Sequence, residues 1–133
     1  MANVQLTTTR DGLIEYLKSV TNNIDNNNLY AVLFTNDVTV TENTILGDLT
    51  LSTNISIVEL QGSNWNIVYN SRGEATYGVD VDFVFTGDDD IYGVCIVNGA
   101  QNTLIAAGDF TENRTVLAGD TIKFSSLQIT LGN

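Results

Sequence analysis

Five aspartates near the middle of the chain have the residue type and spacing that could do chemistry. Asp88, Asp89 and Asp90 are consecutive, and Asp80 and Asp82 precede them at alternate positions. Carboxylate and carbonyl oxygens are the ligands that Ca²⁺ collects, about six to eight at a time. Three consecutive aspartates in a turn cannot all point at one ion, and the spaced pattern of an EF-hand loop is missing. The sequence therefore favours a solvated hairpin tip at Asp88–Asp90, with Ca²⁺ binding as the alternative.

Paired carboxylates are the second chemical possibility, since glycoside hydrolysis needs two of them across a cleft. Glu59 or Glu74 could be combined with any aspartate, so this signal is not specific. The sequence contains no histidine, which excludes Ser-His-Asp and Cys-His catalysis and imidazole zinc sites. We therefore predict that the chain is not an enzyme and has no catalytic, cofactor-binding or metal-binding residues.

The aromatic residues could form a platform on which sugar rings stack. Most of them fall at inward positions of alternating segments, so we predict that they pack in the core instead. They are Trp65, Tyr16, Tyr30, Tyr69, Tyr77 and Tyr92. The single cysteine, Cys95, lies in an apolar run and is predicted to be a small buried hydrophobic residue.

Two sequons begin at Asn54 and Asn113 and match the glycosylation pattern. The first six residues contain neither a basic region nor an apolar region of the secretory type. We therefore interpret both sequons as chance matches and expect synthesis in a cytoplasm.

The formal net charge of −11 limits the class of partner. Binding to nucleic acids or anionic membranes needs clustered lysine and arginine, whereas the bases here are scattered singly among 16 acids. They are Arg10, Lys18, Arg72, Arg114 and Lys123. We therefore predict that the chain binds neither nucleic acid nor membranes. The net charge is compatible with a role as one component of a larger assembly.

One short helix is predicted near the N-terminus, over residues 9–21. Thr8 or Thr9 can cap its first turn, where Asp11 meets the positive end of the helix dipole. Leu13, Leu17 and Val20 form an apolar stripe at helical spacing, which must pack on the sheet or on another subunit.

The rest of the chain predicts strand after strand, separated by turn residues about every ten positions. Two of the segments, 29–34 and 91–97, are almost continuously apolar and are expected to be covered on both faces. Segment 79–85 alternates, which places Val79, Val81, Phe83 and Phe85 inward and two aspartates outward. The other predicted strands are 38–40, 56–60, 65–69, 74–77, 103–107, 122–124 and 127–131.

This pattern predicts an all-β fold in a single domain, residues 1–133. Crossover helices between strands are missing, which argues against a parallel sheet of the βαβ type. We expect an antiparallel β-sandwich or jelly roll of about eight to ten strands, with the one short N-terminal helix. Because the sequence contains no proline, its edge strands must be protected by aspartates, by bulges or by a neighbouring chain.

From residue 29 to the C-terminus, the chain resembles small virion proteins of tailed phages. The resemblance covers roughly three-quarters of the chain, and the segments that carry it are short sequences of a strand and a turn. They are 33–39, 44–50, 65–69, 75–77, 81–87, 91–94 and 117–122. The resemblance implies a capsid decoration (cement) protein or another small structural component of the particle, located on the virion.

Three hypotheses follow for function. The first is a decoration protein that binds the major capsid protein or other virion proteins, and its own copies, on the outer capsid lattice. The second is a tail or fibre-associated adhesin module that binds host-surface carbohydrate, which predicts aromatic side chains exposed on one concave face. The third, a small carbohydrate-active enzyme, requires two facing carboxylates and is the one that the composition disfavours.

Overall fold

The computed structural model of the chain describes residues 4–12, 29–60, 64–68, 74–98 and 101–130. These residues form a mostly β structure, and a helix begins at residues 10–12. The all-β expectation is therefore confirmed. The strands of the described chain are β1 Val4–Thr8, β2 Leu29–Phe34, β3 Val58–Leu60, β4 Trp65–Val68, β5 Glu74–Tyr77, β6 Val81–Val84, β7 Asp89–Val97, β8 Leu104–Val116, β9 Thr121–Phe124 and β10 Leu127–Thr130.

Eight of these strands form one sheet in the order β3-β2-β7-β8-β1-β10-β5-β4, and β6 pairs with β9 in a separate two-stranded sheet. The large sheet is mixed, because β1 runs parallel to β10 while its other described pairs are antiparallel. The purely antiparallel expectation is wrong at this pair. Two parallel strands must be joined by a long connection, but that connection need not be a helix. Here nearly the whole chain lies between β1 and β10.

The large sheet curls around one core, in the manner of a nearly closed barrel. Leu60 from one edge of the sheet, and Tyr77 with the partly buried Trp65 from the other edge, belong to the same apolar cluster. This arrangement does not clearly correspond to a sandwich or a jelly roll.

Strand β2 and most of β7 are buried on both faces, as their continuous apolar runs predict. Alternate side chains enter two clusters: Leu33 and Ile96 lie in the first, and Val32 and Cys95 lie in the second. The loop after β2 covers the second cluster with apolar side chains. They come from Val38, Val40, Leu46, Leu49 and Leu51.

Strands β6 and β9 form the second sheet, which we call the ribbon. Its inward side chains are buried in the first cluster, where the rings of Phe83 and Phe124 meet edge to face at 6.0 Å. Asp80 and Asp82 are exposed, as the alternation predicts. Val79 was expected to point inward but is 45% exposed, because β6 begins only at Val81.

The predicted N-cap is confirmed at Thr9. Its hydroxyl accepts a hydrogen bond from the backbone N–H of Gly12 at 3.1 Å, which is the geometry of a helix cap. Thr8 instead ends β1, a strand that the sequence pattern did not predict. The stripe of Leu13, Leu17 and Val20 lies outside the described residues.

Further boundaries differ from the sequence predictions, and the strand expected from Ser56 begins only at Val58. Residues 38–40 are not a strand, since they are part of the covering loop. Asp89 and Asp90 open β7 rather than closing a turn. Strand β8 continues well past residue 107 to Val116, and residues 110–113 bulge opposite Tyr92, between the pairs Gly93–Asp109 and Ile91–Arg114.

Within the described chain, we find no helix with the length and hydropathy needed to span a lipid bilayer.

Candidate functional site

A groove lies where β7 begins beside the end of β8, and the predicted acidic cluster lines it. Its volume is about 490 Å³, and it is broadly open to solvent. The lining side chains are Thr35, Asp88, Asp89, Asp90, Thr115, Val116 and Leu117. The structure therefore brings the three consecutive aspartates to one groove, whereas Asp80 and Asp82 lie on and beside the ribbon.

Asp89 is anchored by side chains from the covering loop. Its carboxylate accepts hydrogen bonds from the Ser52 hydroxyl at 2.6 Å and from the Asn54 amide at 3.2 Å. The same amide also donates to the backbone carbonyl of Asp88 at 3.3 Å. Charge-assisted bonds of this kind are stronger than neutral ones, so Asp89 ties the loop to the start of β7.

Asp88 and Asp90 are held by different partners. The Asp88 carboxylate accepts from the backbone N–H of Ala118 at 3.0 Å, and the Asp90 carboxylate accepts from the Thr115 hydroxyl at 2.7 Å. The three carboxylates thus serve three separate contacts. In the part of the chain that the structure describes, no group of three or more His, Cys, Asp or Glu side chains could hold a metal ion.

We expect Asp89→Ala to lower the free energy of unfolding by about 2 kcal/mol, because the buried Ser52 hydroxyl and the partly buried Asn54 amide lose a charged acceptor. Asp90→Ala is the matched control: it removes the same charge but only an exposed contact with Thr115, and is expected to cost less than about 1 kcal/mol. Urea denaturation of the three proteins measures both values. Equal losses in the two variants would contradict the anchoring role of Asp89.

The two glutamates that could have formed a catalytic pair lie on strands that are not neighbours in the sheet. Glu59 is on β3, at one edge of the sheet, and Glu74 is on β5, which pairs with β10 and with β4 at the other edge. The Glu59 carboxylate accepts a hydrogen bond from the Tyr30 hydroxyl at 3.2 Å, across the β2–β3 pair. This hydrogen bond, with smaller contributions from desolvation and from the charge of Glu59, raises the pKa of Tyr30. Glu59 therefore contributes to strand pairing, and the side chain of Glu74 lies outside the description.

The aromatic side chains in the described residues pack against the core. Tyr77 is only 4% exposed, Trp65 meets its ring edge to face at 5.1 Å, and the amide of Asn64 donates to the Tyr77 hydroxyl at 3.2 Å. Tyr30 and Tyr92 pack on the second cluster. The predicted core role is confirmed for these four residues, while Tyr16 and Tyr69 lie outside the described residues.

Cys95 is completely buried, as predicted, and its neighbours are apolar. Burial raises the pKa of this thiol from 9.0 to about 12. The thiolate is the reactive form of cysteine, so the folded protein holds Cys95 in its inert form.

The buried thiol gives the protein a pH-dependent stability. Above pH 9 the unfolded chain releases the thiol proton while the folded chain keeps it up to about pH 12, so stability is full below pH 9 and falls as pH rises. We expect wild type to lose up to about 1.4 kcal/mol per pH unit more than Cys95→Ala over this range. Urea titrations below and above pH 9 measure the two slopes, and parallel slopes would contradict the burial of the thiol.

The two sequons differ in their surroundings. The amide of Asn54 is committed to Asp89 and to the loop, as described above, whereas Asn113 is exposed in the bulge of β8. Asn54 therefore has a structural role that its motif did not indicate.

Sequence reasoning missed an exposed apolar feature at the ribbon. Val84 and Leu117 are 57% and 58% exposed, the largest values among the exposed large apolar residues that the structure describes. The exposure of Val84 could have been predicted from the alternation of segment 79–85. Val84 follows Asp80 and Asp82 at every second position, and these positions face outward. Leu117 borders the groove of Asp88–Asp90, so the apolar and acidic features are adjacent.

No protein-family model matches this chain, and no similar curated protein or solved structure was found.

Proposed function

We propose that the chain is a bacteriophage virion structural protein, a decoration or cement protein that binds the outer capsid lattice. The observation that carries the proposal is the contrast between its acidic and apolar side chains. The carboxylates of the groove are used to hold loops and strands together, while large apolar side chains stand in solvent around the ribbon. We interpret these exposed apolar side chains as a contact for another macromolecule, since contiguous apolar patches mark interaction sites.

The net negative charge of the chain is compatible with binding to a capsid lattice. A net charge of −11 keeps the free chains soluble, and a site of opposite charge on the coat would steer each copy into place. Many copies that also contact one another gain avidity from simultaneous engagement, so each contact can be weak. The proposal therefore includes the major capsid protein as partner, contacts between copies, and a place on the capsid surface.

The adhesin alternative has less support in the described residues. Stacking on sugars needs exposed aromatic faces, whereas Tyr77 is buried and Trp65 is partly buried against it. We therefore keep the capsid lattice as the proposed site of action.

The experiment that tests the proposal is the copy number of this chain in purified particles. Quantitative mass spectrometry of intact particles, and of heads separated from tails, should find the chain in the heads at a fixed, symmetry-related ratio to the major capsid protein. A handful of copies in the tail fraction, or absence from particles, would overturn it.

A further inference from the structure

The outer face of the ribbon is a sheet face that no other element of the described chain covers. The inner face is buried through Val81, Phe83, Ile122 and Phe124, which fixes the ribbon on the first cluster. The outer positions pair across the two strands as Asp82 with Lys123 and Val84 with Thr121. Each of these four residues is exposed. In the described chain, the ribbon is thus packed on the core by its inner face and exposed on its outer face.

Val84 and Leu117 lie at the same end of the ribbon. The residue after Val84, Phe85, donates its N–H to the carbonyl of Asp120 at 2.9 Å and accepts from the N–H of Gly119 at 2.7 Å. A turn from Leu117 to Asp120 is closed by the bond between Asp120 N–H and the Leu117 carbonyl at 2.9 Å. The side chain of Asp120 accepts from the Leu117 N–H at 2.8 Å and holds the turn from the other side. Both apolar side chains are therefore presented by a well-bonded backbone.

The charges around this apolar pair are mostly negative. Residues 80–90 contain five aspartates, and residues 117–124 contain Asp120 and one base, Lys123. The Lys123 ammonium lies 3.8 Å from Asp80. Arg114, on the neighbouring strand β8, stacks over the ring of Phe110 with its guanidinium 5.4 Å from the ring centre. This end of the ribbon therefore exposes two apolar side chains, and most of the charged residues near them in the sequence are acidic.

We propose that this end of the ribbon docks a coat-subunit surface that presents an apolar residue surrounded by lysine or arginine side chains. Charge complementarity selects this occupant: a second copy of the chain would bring the same aspartates face to face, which is repulsive. The apolar pair provides the desolvated centre of the contact, and the aspartates provide its charged rim. The identity of the partner as a coat subunit rests on the proposed function, whereas its chemistry follows from the ribbon.

The test compares wild type with Val84→Ser/Leu117→Ser and with a control, Ile45→Ser. The control residue is an exposed large apolar residue in the loop between β2 and β3, outside the ribbon, at 48% exposure. Particles assembled without the chain are titrated with each protein, and the bound fraction is measured after sedimentation. We expect the ribbon variant to bind at least about tenfold more weakly than wild type, and the control variant to bind within about twofold of it.

Salt gives a second readout on the same particles. Raising NaCl from about 0.1 M to about 1 M shortens the Debye length from about 10 Å to about 3 Å, so the aspartate rim loses its attraction for a basic partner and wild-type binding weakens. Ribbon and control variants that bind alike, or binding that strengthens with salt, would overturn the inference and leave the proposed function standing.

A second experiment tests the chemistry of the ribbon without virus particles. The isotope-labelled protein is titrated with a short peptide of alternating lysine and leucine, and backbone amide shifts are followed by NMR. We expect saturable shifts at residues 84 and 117–120 that disappear in the ribbon variant. Shifts spread evenly over all aspartates, or confined to other surfaces, would overturn the inference. If wild type binds this peptide at the ribbon but fails to bind particles, the proposed function falls and the ribbon chemistry stands.

Discussion

Gly93→Ala is expected to lower the free energy of unfolding by about 3 kcal/mol, because the packing leaves no room for a methyl group. Gly93 lies in β7 directly opposite Phe34 of β2, and the Phe34 ring is completely buried. A Cβ at this position would lie 2.7 Å from one ring carbon of Phe34, and closer to another and to the backbone oxygen of Gly108. The ring occupies the space above the glycine, so neither strand can keep its position.

Two further variants identify the cause of this loss. Gly47→Ala is the control, since its Cβ would meet its nearest neighbour, the side chain of Ile45, at 3.8 Å; we expect it to change stability by less than about 1 kcal/mol. Phe34→Leu in the Gly93→Ala background relieves the clash with the ring but not the clash with Gly108, so we expect partial rescue. Urea denaturation measures all three. Wild-type stability in Gly93→Ala would contradict the described packing of β2 on β7.

Thr9→Val is the second substitution with a large expected effect, about 2 to 3 kcal/mol. The Thr9 side chain is completely buried, and its hydroxyl joins the start of the helix to β8. It donates to the carbonyl of Leu104 at 2.7 Å, lies 3.2 Å from that of Ile105, and accepts from the N–H of Gly12. Valine keeps the shape but removes the hydroxyl, so the buried N–H of Gly12 loses its acceptor, while the Ile105 carbonyl keeps its bond from the Thr9 backbone N–H at 3.1 Å.

Thr9→Ser is the matched control, because serine keeps the hydroxyl and caps helices equally well. We expect it to cost less than about 1.5 kcal/mol, mainly for the lost methyl group. Thermal and urea unfolding of the two variants gives the comparison. If valine and serine are equally stable at position 9, the hydroxyl does not attach the helix start to β8.

The strands whose own residues determine their burial were predictable from the sequence. Continuous apolar runs identified β2 and most of β7 as covered on both faces, and alternation gave the inward residues of β6 from Val81 onward. These signals depend on side-chain period alone. Long-range pairing has no such local signal. Strand β1 is short and half polar, and its partners β8 and β10 lie about a hundred residues away in the chain.

At the candidate site, too, local features could be predicted from the sequence and long-range contacts could not. The sequence alone indicated that Asp88, Asp89 and Asp90 would not converge on one ion, and the structure gives them separate partners. Ser52 and Asn54 could not be identified as those partners, since they are more than 30 residues away and nothing in their own pattern marks them. The exposure of Leu117 could not be predicted either, because a single leucine next to a turn is not part of a periodic pattern.

Imaging of intact particles tests the central claim most directly, namely that this chain acts by fitting against other molecules. Cryo-electron microscopy of particles with and without the chain should show a difference density at every symmetry-equivalent position on the outer capsid. That density should accommodate the curled sheet with the ribbon end at Val84 and Leu117 facing the coat. Identical capsid surfaces in the two preparations would contradict this claim.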